Sequence, residues 1–307
     1  MTKFANARRF VLPVIAGLGI GLAALSVFHS ARAAPAAPPL AKMPAADPAK
    51  DKVVLAAHRA VYDLKLSKSS GSRGIQAVRG RILYDFSGNA CDGYELKFRQ
   101  VSELDSAEGK PMLTDLRSTT WEDAAAKTFR FSSENRMNDR QVDVVDGSAK
   151  RTASAVAIDL KKPEDKKFTM PVHAVFPTEH MRLIVEAARA GKSILDFPVY
   201  DGSETGEKLY NTLTVIGRRI DSAQKPVDDA GAKIPALANM PRWPVTISYF
   251  EKRSGQAEHS GEQTPVYAIT FELYENGISR ALTLDYTDFT ISGELTSLEI
   301  KKEKACK

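Results

Sequence analysis

The chain has 307 residues, 43% of them hydrophobic, 26% charged and 8% aromatic, a globular composition that excludes wholesale disorder and a many-span membrane protein. At about 150 residues per domain this length allows two domains, or one large all-β domain. The net charge of +5 invites a nucleic-acid reading, but Lys3, Arg8, Arg9 and Arg32 fall in residues 1–33, which hold no acid; the rest carries 39 basic against 38 acidic side chains, too even for a phosphate-binding surface.

Residues 1–33 read as a secretory signal peptide. Lys3, Arg8 and Arg9 form a positive start, an uncharged apolar run follows from Phe10 to Phe28, and Ala31-Arg32-Ala33 supplies the small-x-small pattern of a cleavage site. An uncleaved anchor is the alternative, because the apolar run is close to the ~20 residues that span a bilayer. Pro13, the glycines and the cleavage pattern favour removal before Ala34, with no transmembrane span left. No cysteine stands at the cleavage point, which argues against a lipoprotein anchor there. Arg8-Arg9-Phe10 resembles a twin-arginine export signal without its usual flanks. Residues 34–52, rich in alanine and proline and without apolar periodicity, read as a disordered tether. Residues 53–307 are then one β-rich domain.

Period-two alternation recurs along that domain, as in half-buried strands. Ala60, Tyr62, Leu64 and Leu66 face one way and Arg59, Asp63 and Lys65 the other. Val78, Ile82, Tyr84 and Phe86 repeat the pattern before a turn at Ser87-Gly88-Asn89, and Tyr94, Leu96 and Phe98 follow Gly93. Shorter runs occur over 128–132, 141–145 and 154–160, separated at Glu134-Asn135, Asp146-Gly147 and Lys162-Pro163. Later strands are predicted near 208–220, 244–253, 264–275, 279–290 and 294–302, with Asn276-Gly277 a strong hairpin turn. One segment is helical: Pro177-Thr178-Glu179 opens it with Thr178 as the expected cap, Met181, Ile184, Val185 and Ala188 keep its spacing, and Gly191 closes it. The fold class is mainly β, a large curved antiparallel sheet, spiral or open-barrel-like, with one short helix. The stretch 221–243 reads as a long loop with Trp243 anchoring its end.

Cys91 and Cys306 are the two cysteines. They lack CxxC spacing, and two thiols alone make no zinc site. In an oxidising compartment they are most simply one structural disulfide; free thiols or a bond between chains are the alternatives. His58, His173, His180 and His259 show no HxH or HxxxH spacing, and no metal or cofactor is expected. Glu179-His180 offers a general base on paper, but adjacent helical residues do not face one another. Asp201-Gly202-Ser203-Glu204-Thr205-Gly206 is neither a GxSxG elbow nor a P-loop, and each residue has a turn-forming reason to be there. No catalytic residue is assigned.

Several ordered segments resemble the EipB family: His58-Arg59-Ala60-Val61-Tyr62-Asp63-Leu64, Tyr84-Asp85-Phe86, Cys91-Asp92-Gly93-Tyr94, Thr114 to Glu122, Phe176 to Met181, and Tyr200 to Gly206. The resemblance implies a periplasmic protein of alphaproteobacteria tied to cell-envelope integrity. It also implies a spiral-like β fold related in shape to the half-barrels that ferry lipoproteins, and a disulfide matched by Cys91 and Cys306. The 221–243 loop has no counterpart in the resemblance. The expected function is non-catalytic, supporting the envelope by binding other envelope or periplasmic proteins. The alternative is a carrier holding a lipoprotein or acyl chain in the concave face, with Tyr62, Tyr84, Phe86, Leu96 and Phe98 lining the site; the same residues also suit an ordinary core.

Overall fold

The computed structural model describes residues 53–70, 74–107, 109, 111–221, 228–251 and 264–302. The signal peptide and tether, together with Cys306 and His259, lie outside them. The described residues form a 14-stranded antiparallel sheet that does not close, and one α-helix. The strands are β1 (His58–Ser69), β2 (Ile75–Asn89), β3 (Gly93–Ser106), β4 (Met112–Glu122), β5 (Thr128–Met137), β6 (Arg140–Arg151), β7 (Ala155–Lys162), β8 (Lys166–Pro171), β9 (Ile194–Val199), β10 (Tyr210–Ile216), β11 (Arg242–Glu251), β12 (Tyr267–Tyr274), β13 (Ser279–Asp285) and β14 (Phe289–Ile300). Helix α1 (Pro177–Arg189) connects β8 to β9.

The sheet runs β8 to β1 in order, then β14 back to β9, so the long-range pairing of β1 with β14 joins two meanders. The edges β8 and β9 do not pair. Val175, just beyond β8, makes an isolated parallel bridge to Val199, with its N–H on the Pro198 carbonyl at 2.8 Å. The expected mainly β, open curved sheet with one short helix is therefore the observed fold.

The inner face carries the alternation read from the sequence. Ala60, Tyr62 and Leu64 of β1, Val78, Ile82 and Phe86 of β2 and Val245 and Ile247 of β11 are buried in one cluster with Ile184 and Val185 of α1. A second cluster joins Phe129 and Phe131 of β5, Val156, Ile158 and Leu160 of β7, Phe176 and Tyr200. Each fully buried side chain of this size stabilises by roughly 1.5–3 kcal/mol relative to exposure. Phe176 precedes α1 and stacks on Phe129 at 5.1 Å, so the helix is rooted in one cluster and packs into the other.

Several boundaries differ from the sequence reading. The β5–β6 turn is at Asn138-Asp139, both at positive φ (48° and 64°), the two-residue geometry whose twist suits a hairpin, and not at Glu134-Asn135. Asp146-Gly147 lies inside β6 at a register shift; a Cβ on Gly147 would stand 2.7 Å from the Phe131 ring, so packing, and not a turn, requires the glycine. β13 and β14 meet at Tyr286–Asp288, with Thr287 N–H on Asp285 Oδ1 at 2.9 Å, while Gly293 sits mid-strand. Strands β4, β8 and β9 had no clear alternation. On β4 the inward positions are Thr114, Leu116, Ser118 and Thr120, mostly polar, and β8 and β9 are short edges.

The segment after β10 covers part of the outer face. Its residues 230–237 form two 3-10 turns, and Leu237 packs with Tyr274 and Ile278. Beneath it, Glu272 accepts from Arg242 Nε at 2.7 Å and Arg280 Nη1 at 2.6 Å, and Arg280 Nε donates to Asp229 at 2.5 Å. Ala281, at φ 51°, marks the register shift that turns Arg280 outward beside Glu272; without the extra residue it would face the inner core. Trp243 is buried in the main core at the start of β11.

Candidate functional site

A cavity of about 200 Å³ lies between α1 and the inner face of the sheet. Strands β2, β3 and β4 supply Tyr84, Phe86, Leu96 and Thr120 to its wall, and β11 supplies Ile247 and Tyr249. The helix contributes Pro177, Thr178, His180, Met181 and Ile184. Leu55, Ala56 and His58 and the Asn276-Gly277 turn complete one side, and Val199 and Asp201 another. Curvature of the sheet brings β2 and β11 to opposite sides of one space.

Of the five side chains expected to line a concave site, Tyr84, Phe86 and Leu96 do so. Tyr62 is 1% exposed and its hydroxyl donates to the Ser279 carbonyl at 2.8 Å, which makes it a core residue. Phe98 is half-buried against the main cluster, two residues along β3 from Leu96. Cys91 is exposed in the turn after β2, and its N–H donates to Asn89 Oδ1 at 2.8 Å.

His58 and His180 meet at this cavity from distant segments, a placement that no local spacing announces. Burial holds the pKa of His58 below its usual value, and its Nδ1 lies 2.7 Å from the Ala56 carbonyl. A carbonyl only accepts, so Nδ1 carries the proton of the neutral ring and Nε2 is left as an acceptor. Burial also pushes His180 down to about 4; it packs edge-on against Phe197 and its Nε2 lies 3.4 Å from the Thr214 hydroxyl. Glu179, its neighbour in sequence, instead accepts from Arg151 at 2.6 Å and from the Phe176 N–H at 3.2 Å. Asp201 Oδ1 accepts from Ser203 N–H at 3.0 Å and the Tyr200 hydroxyl donates to the Gly206 carbonyl at 2.7 Å, so the Asp201–Gly206 stretch is a tied turn. Within it Asp201 reaches the cavity wall, and burial raises its pKa.

The helix is held over the cavity by charged anchors. Glu122 at the end of β4 accepts from the Thr178 and Glu179 N–H groups at 2.9 and 2.8 Å. Thr178, the expected cap, is already inside the helix; Phe176 occupies the N-cap position, and a side chain from the sheet does the capping. Arg151 also donates to the Ala126 and Val172 carbonyls. At the other end Gly191 (φ 71°) stops the helix as expected, and Arg189 pairs with Glu275 at 2.9 Å. From Tyr249 a row of rings continues across the inner face through Tyr267, Tyr286 and Phe289, with centroids 5.1 to 5.7 Å apart. Among the described residues no group of three His, Cys, Asp or Glu side chains converges to hold a metal ion, and no helix is long and apolar enough to cross a membrane.

The EipB-like family model matches residues 49–302. The chain belongs to the EipB-like family. It is 36% identical over 253 residues to the cell envelope integrity protein EipB of Brucella abortus (strain 2308), covering 82% of this chain and 86% of that protein. It is also similar to the crystal structure of a beta-barrel-like protein of a domain of unknown function from Brucella abortus, at a TM-score of 0.74 and 35% identity, over 81% of this chain and all of that one. The EipB-like region begins just before Leu55 and includes every residue of the cavity wall.

Proposed function

We propose that this protein supports cell-envelope integrity from the periplasm, without catalysis, by holding an apolar envelope component in the cavity beneath α1. The name of its Brucella relative supports the envelope role. The observation that carries the binding role is the cavity, walled by Tyr84, Phe86, Leu96, Met181, Ile184 and Tyr249 and covered by a helix anchored at its two ends. This favours the carrier reading, with a lipid or lipoprotein as cargo, over docking of other envelope proteins. Residues 1–33 act as a cleaved signal, residues 34–52 as a tether and residues 53–307 as one domain clasped by a Cys91–Cys306 bond. We assign no catalytic role to His180: burial lowers its pKa, its ring packs edge-on against Phe197, and the hydroxyl nearest its Nε2, that of Thr214, belongs to a fully buried residue outside the cavity wall.

The experiment is purification of the exported protein from its own periplasm, with intact mass and lipid extraction read by mass spectrometry. The expected species begins at or near Ala34 and carries an extractable apolar ligand. A chain retaining Phe10 to Phe28 in the membrane fraction contradicts the export reading, and lipid-free protein with no affinity for any acyl compound contradicts the binding role. Single His180→Ala, Ser203→Ala and Glu204→Ala proteins that fold should still complement a deletion; complete failure of folded His180→Ala would point to a specific chemical site.

A further inference from the structure

The cavity wall combines apolar side chains with hydroxyl donors that lack acceptors. Tyr84 on β2 and Tyr249 on β11 both line it, and among the described residues neither hydroxyl has a hydrogen-bond partner. Both rings are partly buried against the main core, and burial pushes the Tyr84 hydroxyl up to about 12 and raises that of Tyr249, so both remain protonated donors. Neither hydroxyl is sealed off from the cavity space; a purely apolar occupant filling that space would leave both donors without an acceptor, which is costly, so an occupant that supplies a carbonyl is favoured. His58 Nε2 adds one acceptor.

Charge narrows the class. Among the described residues no lysine or arginine lines the cavity, and burial lowers the pKa of both of its histidines, which favours the neutral rings. A carboxylate or phosphate placed there would lose hydration with no cation to replace it. A cation would meet one carboxylate, Asp201, whose own ionisation burial opposes. Size narrows it further: about 200 Å³ holds roughly seven water-sized groups at ~30 Å³ each, which suits a single short length of chain.

We propose that the cavity binds an uncharged acyl group, an ester or amide whose carbonyl accepts from the Tyr84 and Tyr249 hydroxyls while its hydrocarbon lies against Phe86, Leu96, Met181 and Ile184. This rests on the binding role proposed above. An amide has the further advantage that its N–H finds an acceptor in His58 Nε2.

The test is calorimetric titration of the mature, full-length protein with methyl octanoate, octanoate and octyltrimethylammonium. The ester is expected to bind at least tenfold more tightly than either ion. Tyr84→Phe and Tyr249→Phe keep the rings, and each should weaken ester binding about fivefold with an unchanged melting temperature. Octanoate or the ammonium binding as tightly as the ester overturns the uncharged class and leaves the binding role standing. Unaltered ester affinity in both phenylalanine variants overturns the assignment of the hydroxyls. Binding of none of the three probes, by protein that also yields no lipid on extraction, overturns the binding role itself.

Discussion

Glu122 on β4 holds the backbone N–H of Glu179 at 2.8 Å, across 57 residues of sequence. With the Thr178 N–H as its second donor, this one carboxylate serves as the cap that α1 lacks locally. A negative group here also meets the positive end of the helix dipole. The helix forming one wall of the cavity is thus tied to the strand forming another.

Removing that carboxylate leaves two partly buried N–H groups without their acceptor. Glu122→Ala should cost about 2 kcal/mol, and Glu122→Gln, which keeps one acceptor oxygen, a smaller amount. Denaturant unfolding of the three proteins measures both. A Glu122→Ala protein as stable as wild type would show that the bond contributes nothing.

Glu122 and His180 oppose each other as pH changes. Burial raises Glu122 from 4.5 to about 7, against the pull of its two backbone donors. Between those values the folded chain keeps a proton that the unfolded chain releases, so stability falls as pH rises. His180 is lowered by burial from 6.5 to about 4, so there the unfolded chain binds the proton and stability falls as pH drops. His58, also lowered, acts in the same sense as His180. Acidification from pH 6.5 to 4.5 should therefore lower the melting temperature of Glu122→Gln more steeply than that of wild type, and that of His180→Asn less steeply. Equal slopes in the three proteins would refute the opposition.

Arg280 is 8% exposed, between Glu272 and Asp229. Arg280→Met leaves Asp229 buried without its cation, and losses on breaking such buried pairs run about 3–5 kcal/mol. Arg280→Lys should fall between the two, because a lysine cannot reproduce the planar fork that reaches both acids. Urea midpoints at unchanged slope would report this; a fully stable Arg280→Met protein would reassign the network to a passive role.

The proposed Cys91–Cys306 bond would pin the C-terminal segment after β14 to the turn after β2, and so protect the β1–β14 junction from fraying. Cys91→Ser, Cys306→Ser and the double variant should lose similar stability, a few kcal/mol and less than the ~5 of chain-entropy arithmetic. Melting with and without reductant in all four proteins tests it. No response of the wild type to reductant, or free thiols in protein taken from the periplasm, would exclude the bond.

Strands were legible where the inner face is apolar. Ala60, Tyr62 and Leu64 alternate with charged neighbours because one side of β1 meets the core and the other meets solvent. The Asn276-Gly277 and Asp201–Gly206 turns were legible too, since short polar side chains and positive φ at Gly277, Gly202 and Gly206 are local chemistry. So were the reach of α1 and its stop near Gly191. Strand β4 was hidden because its inward side carries Thr114, Ser118 and Thr120, so its two faces are alike in polarity. Asp146-Gly147 misled because a glycine required by the Phe131 ring looks the same in sequence as a glycine required by a turn. The cap on α1, the outward turn of Arg280 at Ala281, the meeting of His58 with His180, and the space between Tyr84 and Tyr249 all depend on contacts between segments remote in the chain. Local propensity encodes which residues alternate and where the chain turns; only the curvature of the assembled sheet, and the pairing of β1 with β14, decides which faces confront one another and leave room between them.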